Sequence, residues 1–141
     1  ELQKKIVFTN GCFDLFHQGH MDLITKSSAF GEILIVGLNS DKSVKSLKGK
    51  NRPIQSELIR KERLLQINSV SRVYIFDEDT PLNIIKLIKP DVLVKGGDYK
   101  LDQIIGGKDV IDWGGEVKII PLTPGYSTSK IIKKRKIQGL V

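Results

Sequence analysis

Two histidines, His17 and His20, stand three residues apart in Asn10-Gly11-Cys12-Phe13-Asp14-Leu15-Phe16-His17-Gln18-Gly19-His20, directly after the apolar run Ile6-Val7-Phe8-Thr9. They are the only histidines among 141 residues. Residues i and i+3 share one face of a helix, so both imidazoles can address one object. The exposed N–H groups of a helix N-terminus favour an anion, and a strand-to-helix turn is where α/β sheets bind ligands. The chemistry offered is that of a polyphosphate cradle, with Gly11 and Gly19 giving close backbone approach and Asp14 beside it. Zinc is another use of two histidines and an aspartate, but the four-residue helical separation of His-Glu-x-x-His is missing. Cys12 lies inside the turn; nothing in the sequence lowers its pKa, and it reads as a small packing residue.

A second candidate cradle is Gly125-Tyr126-Ser127-Thr128-Ser129-Lys130, followed by Ile131-Ile132. Hydroxyls and backbone N–H groups at a helix start can hold phosphate oxygens, and Lys130 adds charge; a plain Ser/Thr N-cap is the other use of such residues.

The elements that must position these residues alternate. Apolar β-rich runs recur at Ile6–Thr9, Ile33–Leu38, Val73–Phe76, Val92–Val94 and Val117–Ile120. Helices are expected over Met21–Phe30, Glu57–Asn68, Pro81–Ile88, a short stretch near Lys108–Trp113, and Ser127–Lys136. This predicts an α/β fold: a Rossmann-like, doubly wound, parallel five-stranded sheet with helices on both faces. Thr80 fits an N-cap with Pro81 in the first helical turn, and Pro90 stops that helix. Asn39 to Ser56 has few apolar residues and many charges, and reads as a long mobile loop. Lys45 and Lys48 lie in it, where they could close over a triphosphate and an incoming phosphate.

The length suits a single domain over 1–141. With one cysteine, no charged-then-apolar leader and no long apolar stretch, the expectation is a cytoplasmic protein with no membrane partner. The formal charge of +7 raises nucleic acid as a partner. However, the basic residues fall mainly in Lys42 to Arg63 and Lys130 to Lys136, with no aromatic residue interleaved, which argues against a stacking platform for single strands. No nucleic-acid partner is expected.

Residues 9 to 20 resemble the signature of the cytidylyltransferase-like nucleotidyltransferase superfamily, His-x-Gly-His after the first strand of a Rossmann-like sheet. The Gly125–Lys130 segment is similar to that superfamily's Ile-Ser-Thr-Thr helix start. A closer resemblance, over nearly the whole chain, is to the adenylyltransferases of ADP-heptose synthesis, a domain found fused to a sugar kinase or alone. It rests on Thr9-Asn10-Gly11-Cys12-Phe13-Asp14, Leu47-Lys48-Gly49 with Arg52-Pro53, Asp79-Thr80-Pro81, Lys95-Gly96-Gly97-Asp98-Tyr99, Gly114-Gly115-Glu116-Val117, and Pro121 through Ser129.

The resemblance implies transfer of AMP from ATP to D-glycero-β-D-manno-heptose 1-phosphate, releasing pyrophosphate, with Mg²⁺ carried in on ATP and no protein metal cage. It implies His17, His20 and Lys48 as catalytic residues. Thr9, Asn10, Gly11, Phe13, Asp14, Gly19, Arg60, Gly125, Tyr126, Ser127, Thr128 and Ser129 would bind the nucleotide. Lys45, Lys95, Gly96, Gly97 and Asp98 would bind the acceptor. A homodimer and an upstream heptose 7-phosphate kinase are further expectations of the same kind. Some related cytidylyltransferases carry a basic residue where Leu122-Thr123-Pro124 stand here, which favours the sugar branch. The alternative is a cytidylyltransferase acting on glycerol 3-phosphate or a similar small phosphorylated alcohol.

Overall fold

The computed structural model of the chain describes residues 4–121. Each apolar run is a strand: β1 (Ile6–Gly11), β2 (Ile33–Asn39), β3 (Arg72–Phe76), β4 (Val92–Gly96) and β5 (Glu116–Ile120). All neighbours pair in parallel, in the order β3-β2-β1-β4-β5. The helices are α1 (Gln18–Ser28), α2 (Asp41–Lys48), α3 (Glu57–Leu65), α4 (Leu82–Ile88) and α5 (Gly107–Asp112), with a 3₁₀ turn at Leu101–Gln103.

Strand side chains alternate between faces, and here both faces are apolar. Val7 of β1, Leu34, Val36 and Leu38 of β2, and Val92 and Val94 of β4 pack with Ile24 of α1 and Leu64 of α3. The residues between them, Phe8, Ile35 and Leu93, pack on the other face with Ile85 of α4 and Val110 of α5. A sheet buried on both sides is the Rossmann-like arrangement expected.

Several boundaries differ from the sequence reading. α1 starts at Gln18 rather than Met21, because His17 itself occupies the N-cap. α3 stops at Leu65, short of Asn68. Pro81 is the N-cap of α4 rather than its first helical residue, and no side chain caps that end. At the other end Lys89 turns left-handed, φ 55°, just before Pro90. The largest departure is α2, inside the stretch 39–56 expected to be loop. Ser40 caps it, its Oγ accepting from the Ser43 N–H at 3.1 Å, and Asp41 opens the first turn. Lys45 and Lys48 fall in the last turn, where positive charge suits the helix dipole. Gly49 ends it at φ 100°, a conformation that favours glycine. Only Ser43 and Val44 of α2 are buried, so almost no apolar periodicity marks it. The helix expected at Ser127–Lys136 lies outside the described residues. Among the described residues, no helix is long and apolar enough to cross a membrane.

Candidate active site

The chain builds β1, β2 and β3 outward in one direction and then returns to lay β4 and β5 on the other side of β1. The two connections leave the ends of β1 and β4 on opposite sides, opening a crevice at the carboxyl ends of these strands. Ladder pairing of β1 with β4 is at Val7–Val92 and Phe8–Leu93, and the buried Thr9 hydroxyl donates to the Val94 carbonyl at 3.0 Å. Just beyond lies a cavity of about 470 Å³. Its walls include Asn10, Gly11, Cys12 and Phe13 after β1, and Val94 and Lys95 at the end of β4. His20, Asn39, Lys48, Arg52 and the 79–81 turn complete much of the rest.

The two histidines form a locked unit. Nδ1 of His17 accepts from the Gly19 N–H at 3.1 Å, and Nδ1 of His20 accepts from the His17 N–H at 3.2 Å. The rings stack with centroids 3.7 Å apart. An Nδ1 that accepts a hydrogen bond carries no proton, so each neutral imidazole bears its hydrogen on Nε2. Phe13 meets the His20 ring edge-on at 5.2 Å, Phe16 lies 5.3 Å from it, and Arg63 covers the Phe16 ring at 4.5 Å. Burial among these rings, then the His17 neighbour, pushes the His20 pKa down to about 3. Burial also lowers that of His17. The pair is therefore uncharged at neutral pH, and what each ring can offer is an N–H donor. The Gly19 N–H, one of the main-chain donors of this helix start, is held by His17 Nδ1.

This has a consequence for acid stability. His20 stays neutral in the fold while the unfolded chain takes up a proton below pH 6.5. Its contribution is complete above that pH and falls as pH drops toward 3, by about 1.4 kcal/mol per unit, reaching about 2 kcal/mol near pH 5. His20→Asn keeps an acceptor near Nδ1 but cannot protonate. Urea unfolding at about pH 8 and pH 5 should show the wild type losing about 2 kcal/mol more than this variant; equal losses would contradict a neutral His20.

Two ion pairs, each with one fully buried partner, hold the walls. The Asp14 carboxylate, fully buried, accepts from the Ile54 N–H at 2.8 Å, the Gln55 N–H at 3.0 Å and Arg52 Nε at 3.2 Å. It fixes the 52–55 segment against the histidine turn, which at Phe13 and Leu15 takes positive φ. Arg60, 1% exposed, donates through Nε to the Gln55 carbonyl, through Nη1 to the Cys12 and Asn39 carbonyls, and through Nη2 to Asp41. One guanidinium thus ties the ends of β1 and β2, the start of α2 and the loop before α3.

At the end of β4, Lys95 sits over the Tyr99 ring at 5.1 Å, and burial lowers its pKa. Gly97, at φ 124°, makes room for that ring: a Cβ there would stand 2.9 Å from Tyr99 Cε2. Cys12 is half-buried in the cavity wall, and burial raises its thiol pKa, so it stays protonated.

The profile of cytidylyltransferase-like domains matches residues 8–134, from β1 through the second candidate cradle. The chain belongs to the cytidylyltransferase-like family. It is a nucleotidyltransferase. Relatives of this cytidylyltransferase-like chain include the bifunctional protein HldE of Koribacter versatilis, 51% identical over 131 residues, 93% of this chain. HldE of Campylobacter jejuni subsp. doylei is 54% identical over 133 residues, 94% of this chain. The chain spans 27% and 28% of the lengths of those two relatives. Among solved structures, a lipopolysaccharide core biosynthesis protein from Thermoplasma volcanium superposes with a TM-score of 0.69 at 27% identity, over 86% of this chain and 98% of that one. A pantoate-beta-alanine ligase from Francisella tularensis shares the fold, with a TM-score of 0.59 at 15% identity, over 96% of this chain and 70% of the other.

Of the residues singled out in the sequence, Asn10, Gly11, Phe13, His20, Lys48 and Lys95 meet at the cavity, with His17 stacked on His20. Lys48 does so from a helix rather than from a loop. Thr9, Asp14 and Arg60 sit behind the wall: the bonds above spend them on the protein's own backbone and side chains. Gly19 serves the cap, Gly96 ends β4, and Gly97 is a packing requirement. Lys45 and Asp98 are exposed and are not among the cavity walls. Gly125, Tyr126, Ser127, Thr128 and Ser129 lie outside the described residues. Sequence reasoning missed Asn39, Arg52, Asp79, Thr80, Tyr99 and Gln103 as cavity residues. Their signal was positional: Asn39 ends β2, Asp79 and Thr80 follow β3, Tyr99 and Gln103 follow β4, and Arg52 lies between α2 and α3.

Proposed function

We propose that the chain transfers AMP from ATP to D-glycero-β-D-manno-heptose 1-phosphate, giving ADP-heptose and pyrophosphate. The observation that carries this is the stacked, neutral histidine pair at a switch-point cavity that also receives Lys48, Arg52 and Lys95. Such a site neutralises phosphate charge without a built-in base. The choice of acceptor draws on about 50% identity to bifunctional HldE proteins and on the likeness to a lipopolysaccharide core biosynthesis protein.

The acceptor phosphate is ionised near neutral pH, so its oxygen attacks the α-phosphorus directly. A phosphorus–oxygen bond forms, the bridge to the β-phosphorus breaks, and pyrophosphate leaves with the electron pair. His17 and His20 donate Nε2–H bonds to phosphate oxygens where charge builds, and the lysines hold the phosphates in line. Mg²⁺ fits as a companion of the ATP phosphates, where it neutralises charge: the Asp14 carboxylate is already held by two N–H groups and Arg52. A reaction that consumes ATP supports a cytoplasmic location. The bifunctional character of the relatives supports a sugar kinase as the source of the acceptor.

A heavy-oxygen label in the terminal oxygens of the sugar phosphate tests the bond-making step. All label should remain in ADP-heptose and none should enter pyrophosphate; labelled pyrophosphate would contradict attack at the α-phosphorus. Lys48→Ala should lower kcat/KM roughly tenfold, since a charge-assisted hydrogen bond at an exposed position contributes about 1.5 kcal/mol. An unchanged kcat/KM in steady-state assays would remove Lys48 from the site.

A further inference from the structure

Arg52 differs from every other cation of the site. Its side chain is only 14% exposed, yet it lines the cavity. Nε is spent on Asp14 at 3.2 Å, and Asp14 is itself fixed by the Ile54 and Gln55 N–H groups. The guanidinium plane is therefore set by a buried carboxylate that the backbone holds still. Among the described residues no acceptor meets Nη1 or Nη2, so the open edge of the fork has the cavity to face. Arg60 is the contrast: its Nε, Nη1 and Nη2 all donate within the protein.

A guanidinium immobilised on one side and open on the other suits a planar, two-pronged grip on a phosphate monoester. Two phosphate groups compete for it. The imidazole pair comes from the start of α1, whereas Arg52 enters the cavity from the connection between α2 and α3, its own N–H held by the Gly49 carbonyl at 3.1 Å. Arg52 thus approaches the cavity from a different element than the imidazole pair, to which the proposed mechanism gives the nucleotide phosphates.

We propose that Arg52 grips the phosphate of the sugar phosphate acceptor, with Asp14 as its positioning residue. This rests on the function proposed above, because it assigns one wall of the same cavity to the acceptor. Lysine cannot reproduce it: an ammonium has no fork, and from position 52 it would turn toward Asp14.

The test is calorimetric and needs no turnover. Protein loaded with Mg²⁺ and α,β-methylene-ATP is titrated with D-glycero-β-D-manno-heptose 1-phosphate and, separately, with glycerol 3-phosphate. Arg52→Gln keeps a donor toward Asp14 and should weaken acceptor binding by roughly 30-fold or more, with Arg52→Lys between it and the wild type. The affinity for the nucleotide analogue should stay within about twofold of the wild type. Acceptor affinity unchanged in both variants would overturn the assignment. So would an equal loss for the nucleotide analogue, which would give Arg52 to the triphosphate or to the fold. Should the glutamine variant fail to fold in thermal melting, the lysine variant decides alone. Wild-type protein that binds the heptose phosphate but does not turn it over would refute the reaction and leave Arg52 standing. Arg52-dependent binding of glycerol 3-phosphate alone would refute the heptose acceptor and still support Arg52.

Discussion

His20→Ala is expected to lower kcat by roughly 10²–10³-fold, the range for loss of one donor that stabilises charge in the transition state. Alanine removes two things at once, because His20 both offers Nε2–H to the cavity and caps the His17 N–H through Nδ1. Two further variants separate them. His20→Asn places an acceptor near Nδ1 and nothing at Nε2, so it should fold like the wild type and be as inactive as alanine. His20→Gln places an amide donor near Nε2 and should recover part of kcat with some loss of stability. Steady-state kinetics with urea unfolding checks both. Activity in His20→Asn close to wild type would mean that capping, not donation, is the role of His20. His17→Ala should fall in the same kinetic range.

Arg60→Met should destabilise the fold by about 3–5 kcal/mol, because three main-chain carbonyls around the buried guanidinium lose their donor at about 1–3 kcal/mol each. Three carbonyls, those of Cys12, Asn39 and Gln55, lose their donor, and Asp41 loses its partner. Against a total of about 5–15 kcal/mol for a typical domain, that is a large share. Arg60→Lys keeps the charge but cannot serve three directions, and should lie between the two. A loss below about 1 kcal/mol in urea unfolding would show that the guanidinium is not the tie described here.

Arg60 also shows where sequence runs out. Its charge was visible and the resemblance implied a nucleotide contact; its burial, and the main-chain carbonyls around it, come from β1, β2 and the α3 entrance meeting in space. Asp14 is similar, a carboxylate that looks free in sequence and is held by Ile54 and Gln55 in the fold. The β1–α1 turn was legible because its chemistry is contiguous: strand, glycine, two histidines and helix follow one another within fifteen residues from Ile6 to His20. The alternation of apolar runs was legible because both sheet faces are buried. α2 was not, since it buries only Ser43 and Val44 and its other residues read as solvated loop. Asn39 reaches the cavity from the end of β2, Tyr99 from beyond β4 and Arg52 from the connection between α2 and α3, and only the fold brings them together.

The most direct test is pyrophosphate release with Mg²⁺, crossing ATP and CTP against D-glycero-β-D-manno-heptose 1-phosphate and glycerol 3-phosphate, with each product identified by mass. The proposed reaction predicts turnover with ATP and the heptose phosphate, yielding ADP-heptose, and little in the other three combinations. Efficient turnover with CTP and glycerol 3-phosphate, and none with ATP and the heptose phosphate, would contradict the proposed reaction.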